Sequence, residues 1–138
     1  MKKFLSLLLV ILTIFSCTCT AFAAAIPENE ITPLWNNIGN ADLSLDFNSN
    51  TSKGCVGTYV LGSSNTDSIS TKVVVYKKNL LSWTKVVDFG SRTTYEDYQA
   101  RTLYFNAEEG KTYKVEFTYT VTVNGVSETD TSTVKGTF

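Results

Sequence analysis

The sequence contains no histidine among its 138 residues. Histidine is the commonest general base and a usual zinc ligand, so its absence excludes nucleophilic sites of the Ser-His and Cys-His kind. There is also no excess of basic residues, because 12 Lys and Arg residues stand against 13 Asp and Glu residues. Proteins that bind nucleic acid or anionic membranes carry clustered Lys and Arg. The composition therefore predicts a non-enzymatic protein that does not bind nucleic acid.

A long apolar run is absent as well. Lys2 and Lys3 precede an apolar stretch at 4–15, which is shorter than the roughly 20 residues that a membrane-spanning helix needs. Small residues follow it up to Ala23, and this three-part pattern predicts a signal peptide at 1–23. We therefore expect a secreted, extracellular chain without stable membrane insertion. The alternative is a lipoprotein anchored through Cys17, which would tether the product.

Cysteine is scarce in the part of the chain that export would retain. Two of the three cysteines lie in the predicted leader, which leaves Cys55. A lone cysteine in an exported protein is either a buried thiol or a partner in an intermolecular disulfide. The alternation over 54–61 places Cys55 on the same face as Tyr59 and Leu61. This pattern predicts a buried, inert thiol.

From Ala41 onward, short stretches of alternating apolar and polar residues are separated by Gly, Asn, Ser and Asp. That spacing is typical of antiparallel strands in a sandwich or barrel. It predicts an all-β domain at 41–138, preceded by an extended segment at 24–40, and no helix. Trp83 shares the parity of Val87 and Phe89, which favours a core position. The seven predicted strands are 41–48, 54–61, 69–77, 82–89, 99–106, 111–123 and 126–138.

The clearest local signal is Asn124-Gly125 between the last two strands, the preferred dipeptide for a two-residue type I′ hairpin. If Val123 faces Val126, cross-strand partners have residue numbers that add up to 249. This register places Glu128 and Asp130 on the inner face near the tip, where burial without partners would be costly. We therefore expect the hairpin tip to project beyond the sandwich.

The stretch from Phe105 to Tyr113 ends one strand, passes through a tight loop with Gly110 and opens the next strand with a tyrosine. It resembles the tyrosine corner of immunoglobulin-like and fibronectin type III domains. The resemblance implies an immunoglobulin-like sandwich in which the Tyr113 hydroxyl bonds back to the loop backbone. Immunoglobulins carry a cysteine two positions after that tyrosine. Here the position is Val115, so the disulfide is missing and Val115 would pack against Cys55.

The segments 31–38 and 41–45, followed by strands that end in a hairpin, are similar to those of small exported proteins of Firmicutes, most of them uncharacterised. This resemblance covers nearly all of the chain that follows the leader. It implies a bacterial, exported β-sandwich of unknown role and no particular activity.

Two sets of residues are candidate binding sites. An interaction or adhesion module would use the hairpin, through Asn124, Gly125, Glu128 and Asp130. A glycan-binding domain would use exposed aromatic rings together with carboxylates, which occur in the stretch Tyr95, Glu96, Asp97 and Tyr98. The partner would be an extracellular protein or a glycan.

Two further chemistries receive little support from the sequence. A small hydrolase would need two carboxylates across a cleft, and the candidates lie mostly on predicted edges or loops. A calcium site could draw on oxygen ligands between 42 and 50, but the twelve-residue loop with its Gly and terminal Glu is absent. We therefore predict no catalytic residue, metal or cofactor. The carboxylate candidates are Asp88, Glu96, Asp97, Glu108 and Glu109.

Overall fold

The computed structural model describes residues 35–138. The predicted signal peptide, the alternative lipid anchor at Cys17 and most of the segment 24–40 lie outside the described residues. Within 35–138, no helix is long and apolar enough to cross a membrane.

Seven antiparallel strands form two sheets, which confirms the predicted all-β sandwich. The first strand begins three residues earlier than expected, and the fourth continues to Thr94. The strands are β1 (Ile38–Asn48), β2 (Lys53–Gly62), β3 (Thr66–Lys78), β4 (Trp83–Thr94), β5 (Tyr98–Asn106), β6 (Thr112–Val123) and β7 (Val126–Thr137).

One sheet has the strand order β1-β2-β5 and the other β4-β3-β6-β7. A constant-type immunoglobulin domain places its fourth strand beside the fifth, in the sheet of the first two strands. Here β4 pairs with β3 instead. As a result β4 and β5 are edge strands of different sheets, joined by the short connection 95–97.

The core lies between the inner faces of the two sheets, where alternate residues of β2, β3 and β6 are buried. Apolar burial on this scale is the main stabilising contribution to a small domain. The residues with no exposed surface are Val56, Val60, Ile69, Val73, Val75, Val115, Phe117 and Val121.

Two local predictions are confirmed. The Tyr113 hydroxyl accepts a hydrogen bond from the Glu108 backbone N–H at 2.8 Å, which forms the expected corner. Asn124 and Gly125 have φ values of 50° and 76°, as a type I′ turn requires. The partners of the β6–β7 hairpin follow the predicted register, with Val123 opposite Val126.

The prediction for Cys55 is wrong. Cys55 is half-exposed on the outer face of β2, whereas Val56 is buried. The inner face instead includes Gly54, because the Phe105 ring occupies the space where a Cβ at that position would lie. Val115 therefore contributes to the core without Cys55 as a packing partner.

The core assignment of Trp83 is wrong too, although Val87 and Phe89 do pack against the core. A β-bulge shifts the β3–β4 register between Val75 and Tyr76. Odd-numbered residues of β4 on the two sides of the bulge therefore point to opposite faces of the sheet. Trp83 consequently lies on the outer face. The amino groups of Lys114 and Lys135 there are 5.3 and 5.9 Å from the centre of its ring.

The hairpin tip does not project freely, contrary to expectation. Glu128 accepts hydrogen bonds from the backbone N–H groups of Asn36, Asn37 and Ile38, the shortest being 2.7 Å from Asn37. Asp130 accepts one from the Trp35 indole N–H at 3.2 Å. The chain just before and at the start of β1 thus supplies the partners that make these inner-face carboxylates tolerable.

Candidate binding face

The first set of predicted site residues lies around the start of β5. Tyr95, Glu96 and Asp97 form the exposed β4–β5 connection, and 83% of the Tyr95 surface is accessible. Tyr98 is the first residue of β5 and is 53% exposed. The Asp97 carbonyl accepts a hydrogen bond from the Gly62 N–H at 2.7 Å, which fixes this connection to the end of β2.

The second set belongs to the other sheet. Asn124 and Gly125 form the exposed turn, and the Gly125 N–H donates to the Asp67 carboxylate at 2.8 Å. Glu128 and Asp130 are engaged by residues 35–38. The two sets therefore lie on different sheets, and the hairpin carboxylates already have partners within the chain.

A third arrangement escaped the sequence analysis. Tyr59, Tyr98 and Tyr104 point outward from the three-stranded sheet, and we call this side of the sheet the tyrosine face. Tyr98 and Tyr104 lie on the same side of β5, about 20 Å apart along the strand. Tyr104 is 61% exposed, and its cross-strand partner is Cys55.

Small side chains between the tyrosines leave a depression in the middle of the tyrosine face. Gly57 lies between Ser44 on β1 and Thr102 on β5. A Cβ added at Gly57 would come within 2.6 Å of the Ser44 Oγ, so the Ser44 hydroxyl occupies the space beside the Gly57 backbone. An open depression of ≈ 430 Å³ results. Its lining residues are Asp42, Leu43, Ser44, Gly57, Thr58, Tyr59, Ala100, Arg101 and Thr102.

A second depression, of ≈ 700 Å³, continues the face toward the β1–β2 turn. Its lining combines the aromatic rings of Phe47 and Tyr104 with the Asp46 carboxylate and the Lys53 amino group. The lining residues are Asp46, Phe47, Asn48, Thr51, Lys53, Cys55 and Tyr104. The two depressions together place aromatic rings, hydroxyl groups, carboxylates and one amino group along the same side of the sheet.

Two of the five candidate carboxylates, Asp88 and Glu108, make contacts within the fold. Asp88 accepts from the Gly90 N–H and lies near Lys72, and these contacts lower its pKa. A hydrogen bond from Lys77 likewise lowers the pKa of Glu108. A general acid needs a raised pKa, so neither residue has the property that this role requires.

Among residues 35–138, no group of three or more Cys, Asp or Glu side chains could hold a metal ion. Asp42, Asp46 and Asn48, which supply the oxygen ligands of the calcium alternative, all lie on the outer face of β1.

Comparison with known proteins adds little beyond this geometry. No protein family model matches the chain, and no curated protein matches it. Two crystal structures of a β-glucuronidase from Parabacteroides merdae align with 70% of the chain at 15–16% identity and a TM-score of 0.44. The sporulation control protein Spo0M from Bacillus subtilis aligns with 72% at 11% identity and a TM-score of 0.40. The alignments cover 13% of the glucuronidase and 49% of Spo0M.

Proposed function

We propose that this protein is a secreted, non-catalytic module that binds a glycan on the tyrosine face. The observation that carries the proposal is the row formed by Tyr59, Tyr98 and Tyr104 on one side of one sheet. Large aromatic side chains that stay exposed give an amphipathic contact surface, with an apolar ring and a polar hydroxyl group.

The surroundings of the rings favour a sugar over an apolar protein segment. Ser44, Thr102 and the carboxylates of Asp42 and Asp46 line the same depressions as Tyr59 and Tyr104. Hydroxyl groups and carboxylates can accept hydrogen bonds from the many hydroxyl groups of a saccharide. The depression around Gly57 and Ser44 gives such a ligand room beside the rings.

The finer architectural assignment belongs to the same proposal. The Tyr113 corner supports an immunoglobulin-like module of the fibronectin type III kind. Export rests on the signal-peptide pattern of residues 1–23, and secretion would bring the tyrosine face into contact with extracellular glycans.

A glycan array, followed by calorimetry with the best oligosaccharide, tests the proposal. We expect Tyr104→Ala and Tyr98→Ala each to weaken binding about tenfold or more, because each removes one of the rings that the saccharide would contact. Leu81→Ala is the matched control, since Leu81 is fully exposed in the β3–β4 connection of the other sheet. Absence of binding across the array, or equal effects of all three variants, would contradict the proposal.

A further inference from the structure

The open side of the sandwich between the edge strands β4 and β5 carries two inward-facing arginines. We call this opening the β4–β5 mouth. Arg101 lies on the same face of β5 as the inward-facing Gln99 and Leu103. Arg92 is directly opposite Thr71, which is 1% exposed on the inner face of β3. Directly opposed residues point to the same side of a sheet, so both arginines point toward the gap between the sheets.

Hydrogen bonds show that the two edges meet at this mouth. The Gln99 side chain on β5 accepts a hydrogen bond from the Thr71 hydroxyl and donates one to the Arg92 carbonyl, at 3.5 Å in the second case. Gln99 is 6% exposed. A buried polar network therefore connects β3, β4 and β5 just behind the arginines.

The Arg101 guanidinium is not satisfied within this network. Its Nη1 atom is buried and has no hydrogen-bond partner. None of the ion pairs among residues 35–138 includes Arg92 or Arg101. The hydrogen bond from Gln99 to the Arg92 carbonyl brings β4 and β5 together at the level of the two arginines. Burial, and secondarily the charge of Arg92, lowers the pKa of Arg101.

We propose that the β4–β5 mouth binds a tetrahedral dianion of the sulfate or phosphate class, held between Arg101 and Arg92. A guanidinium group offers several N–H donors in a fixed plane and pairs well with oxyanions. Two such groups match a dianion in charge, and an oxyanion oxygen would supply the acceptor that Arg101 Nη1 lacks. The Arg101 side chain points inward from β5 whereas Tyr98 and Tyr104 point outward, so the anion would bind on the opposite side of β5 from the tyrosine rings.

Another role for the arginines is protection of the sheet edges. Inward-pointing charges on edge strands prevent unwanted pairing with other chains. Edge protection needs no ligand. A measurement of anion binding therefore distinguishes edge protection from an anion site.

NMR of the arginine side chains in the full-length protein provides the test. Sodium sulfate is titrated against sodium chloride at matched ionic strength, with parallel titrations of phosphate, acetate and a sulfated monosaccharide. We expect saturable shifts of the Arg92 and Arg101 guanidinium signals with sulfate and phosphate, and binding of acetate weaker by about tenfold. Tighter binding of the sulfated sugar than of inorganic sulfate would identify the anion as a group on a glycan, and equal binding would identify it as a free ion.

Arg92→Gln is the main variant, because Arg92 is exposed and its loss should leave folding intact. We expect it to weaken sulfate binding about tenfold, and Arg101→Lys to weaken it by a similar factor. Lys111→Gln removes one positive charge elsewhere and should leave the affinity unchanged. Shifts that do not saturate, equal affinity for acetate, or unchanged affinity in Arg92→Gln would overturn the proposal and leave edge protection as the explanation.

Discussion

Tyr113 shows how one polar atom can fix a loop. Tyr113 is only 1% exposed in the core, while its hydroxyl accepts a hydrogen bond from the Glu108 backbone N–H at 2.8 Å. The side chain therefore joins the packing between the sheets to the path of the chain between β5 and β6.

Tyr113→Phe should lower the free energy of unfolding by about 1 kcal/mol, because the Glu108 N–H loses its acceptor while the ring packing is retained. Urea denaturation provides the measurement. Thr120→Val is the control, since the Thr120–Thr129 hydrogen bond lies on the exposed face and its loss should change stability by only a few tenths of a kcal/mol. Equal losses of unfolding free energy in the two variants would mean that the Tyr113–Glu108 hydrogen bond contributes no more than an exposed one.

The orientation of single side chains was only partly predictable. Tyr113 could be recognised because its loop has a local signature. The face of Cys55 could not, because it depends on Phe105, which lies 50 residues away in sequence and fills the space above Gly54. The face of Trp83 was predicted wrongly because the alternation of apolar and polar residues does not reveal the bulge in β4.

At the scale of elements, the contact between residues 35–38 and β7 has the clearest energetic consequence. One Glu128 carboxylate receives hydrogen bonds from three successive backbone N–H groups. The sequence predicted the β6–β7 register and the inner position of Glu128, but these partners lie about 90 residues away in the chain.

Glu128→Ala should therefore lower the free energy of unfolding by about 1.5 kcal/mol, since charge-assisted hydrogen bonds are lost at a half-buried position. Glu109→Ala removes the same charge from an exposed loop and should have almost no effect. Denaturation of both variants at one pH provides the comparison. If they lose the same stability, the contact with residues 36–38 does not contribute to the fold.

The outer face of the four-stranded sheet contains a second element-scale contact, centred on Lys114. Its amino group is 2.6 Å from the Glu116 carboxylate and 4.6 Å from the centre of the Tyr76 ring. The hydrogen bond from Lys114, followed by one from Tyr76, lowers the pKa of Glu116 below its ordinary value of 4.5.

A carboxyl group whose pKa is lower in the folded state stabilises the fold above its ordinary pKa and loses this contribution on acidification. We expect stability to fall as the pH drops below about 4.5, and to fall less steeply in Glu116→Gln. Urea denaturation between pH 3 and 6 measures the slope, with Glu109→Gln as the control. Identical slopes in wild type and Glu116→Gln would contradict this account of the contact.

For the whole molecule, the number of strands and the sandwich class were predictable because they depend on local alternation. The tyrosine face was not, since it depends on which strands become neighbours. Tyr59 and Tyr104 are 45 residues apart in sequence, and only the β2–β5 pairing places them on the same sheet. The β4–β5 mouth has the same origin, because β4 joins β3 and leaves β5 as the opposite edge.

Cys55 reports directly on the tyrosine face, because it is half-exposed there opposite Tyr104. The most direct test measures the rate of Cys55 alkylation in the native full-length protein, by mass spectrometry of the peptide that contains it. The rate is compared without ligand, with the best oligosaccharide from the array, and with a saccharide that does not bind. We predict that the bound oligosaccharide slows alkylation and that Tyr104→Ala removes this protection at the same concentration. An unchanged rate at saturating oligosaccharide would show that the glycan binds elsewhere and would contradict the assignment of this face.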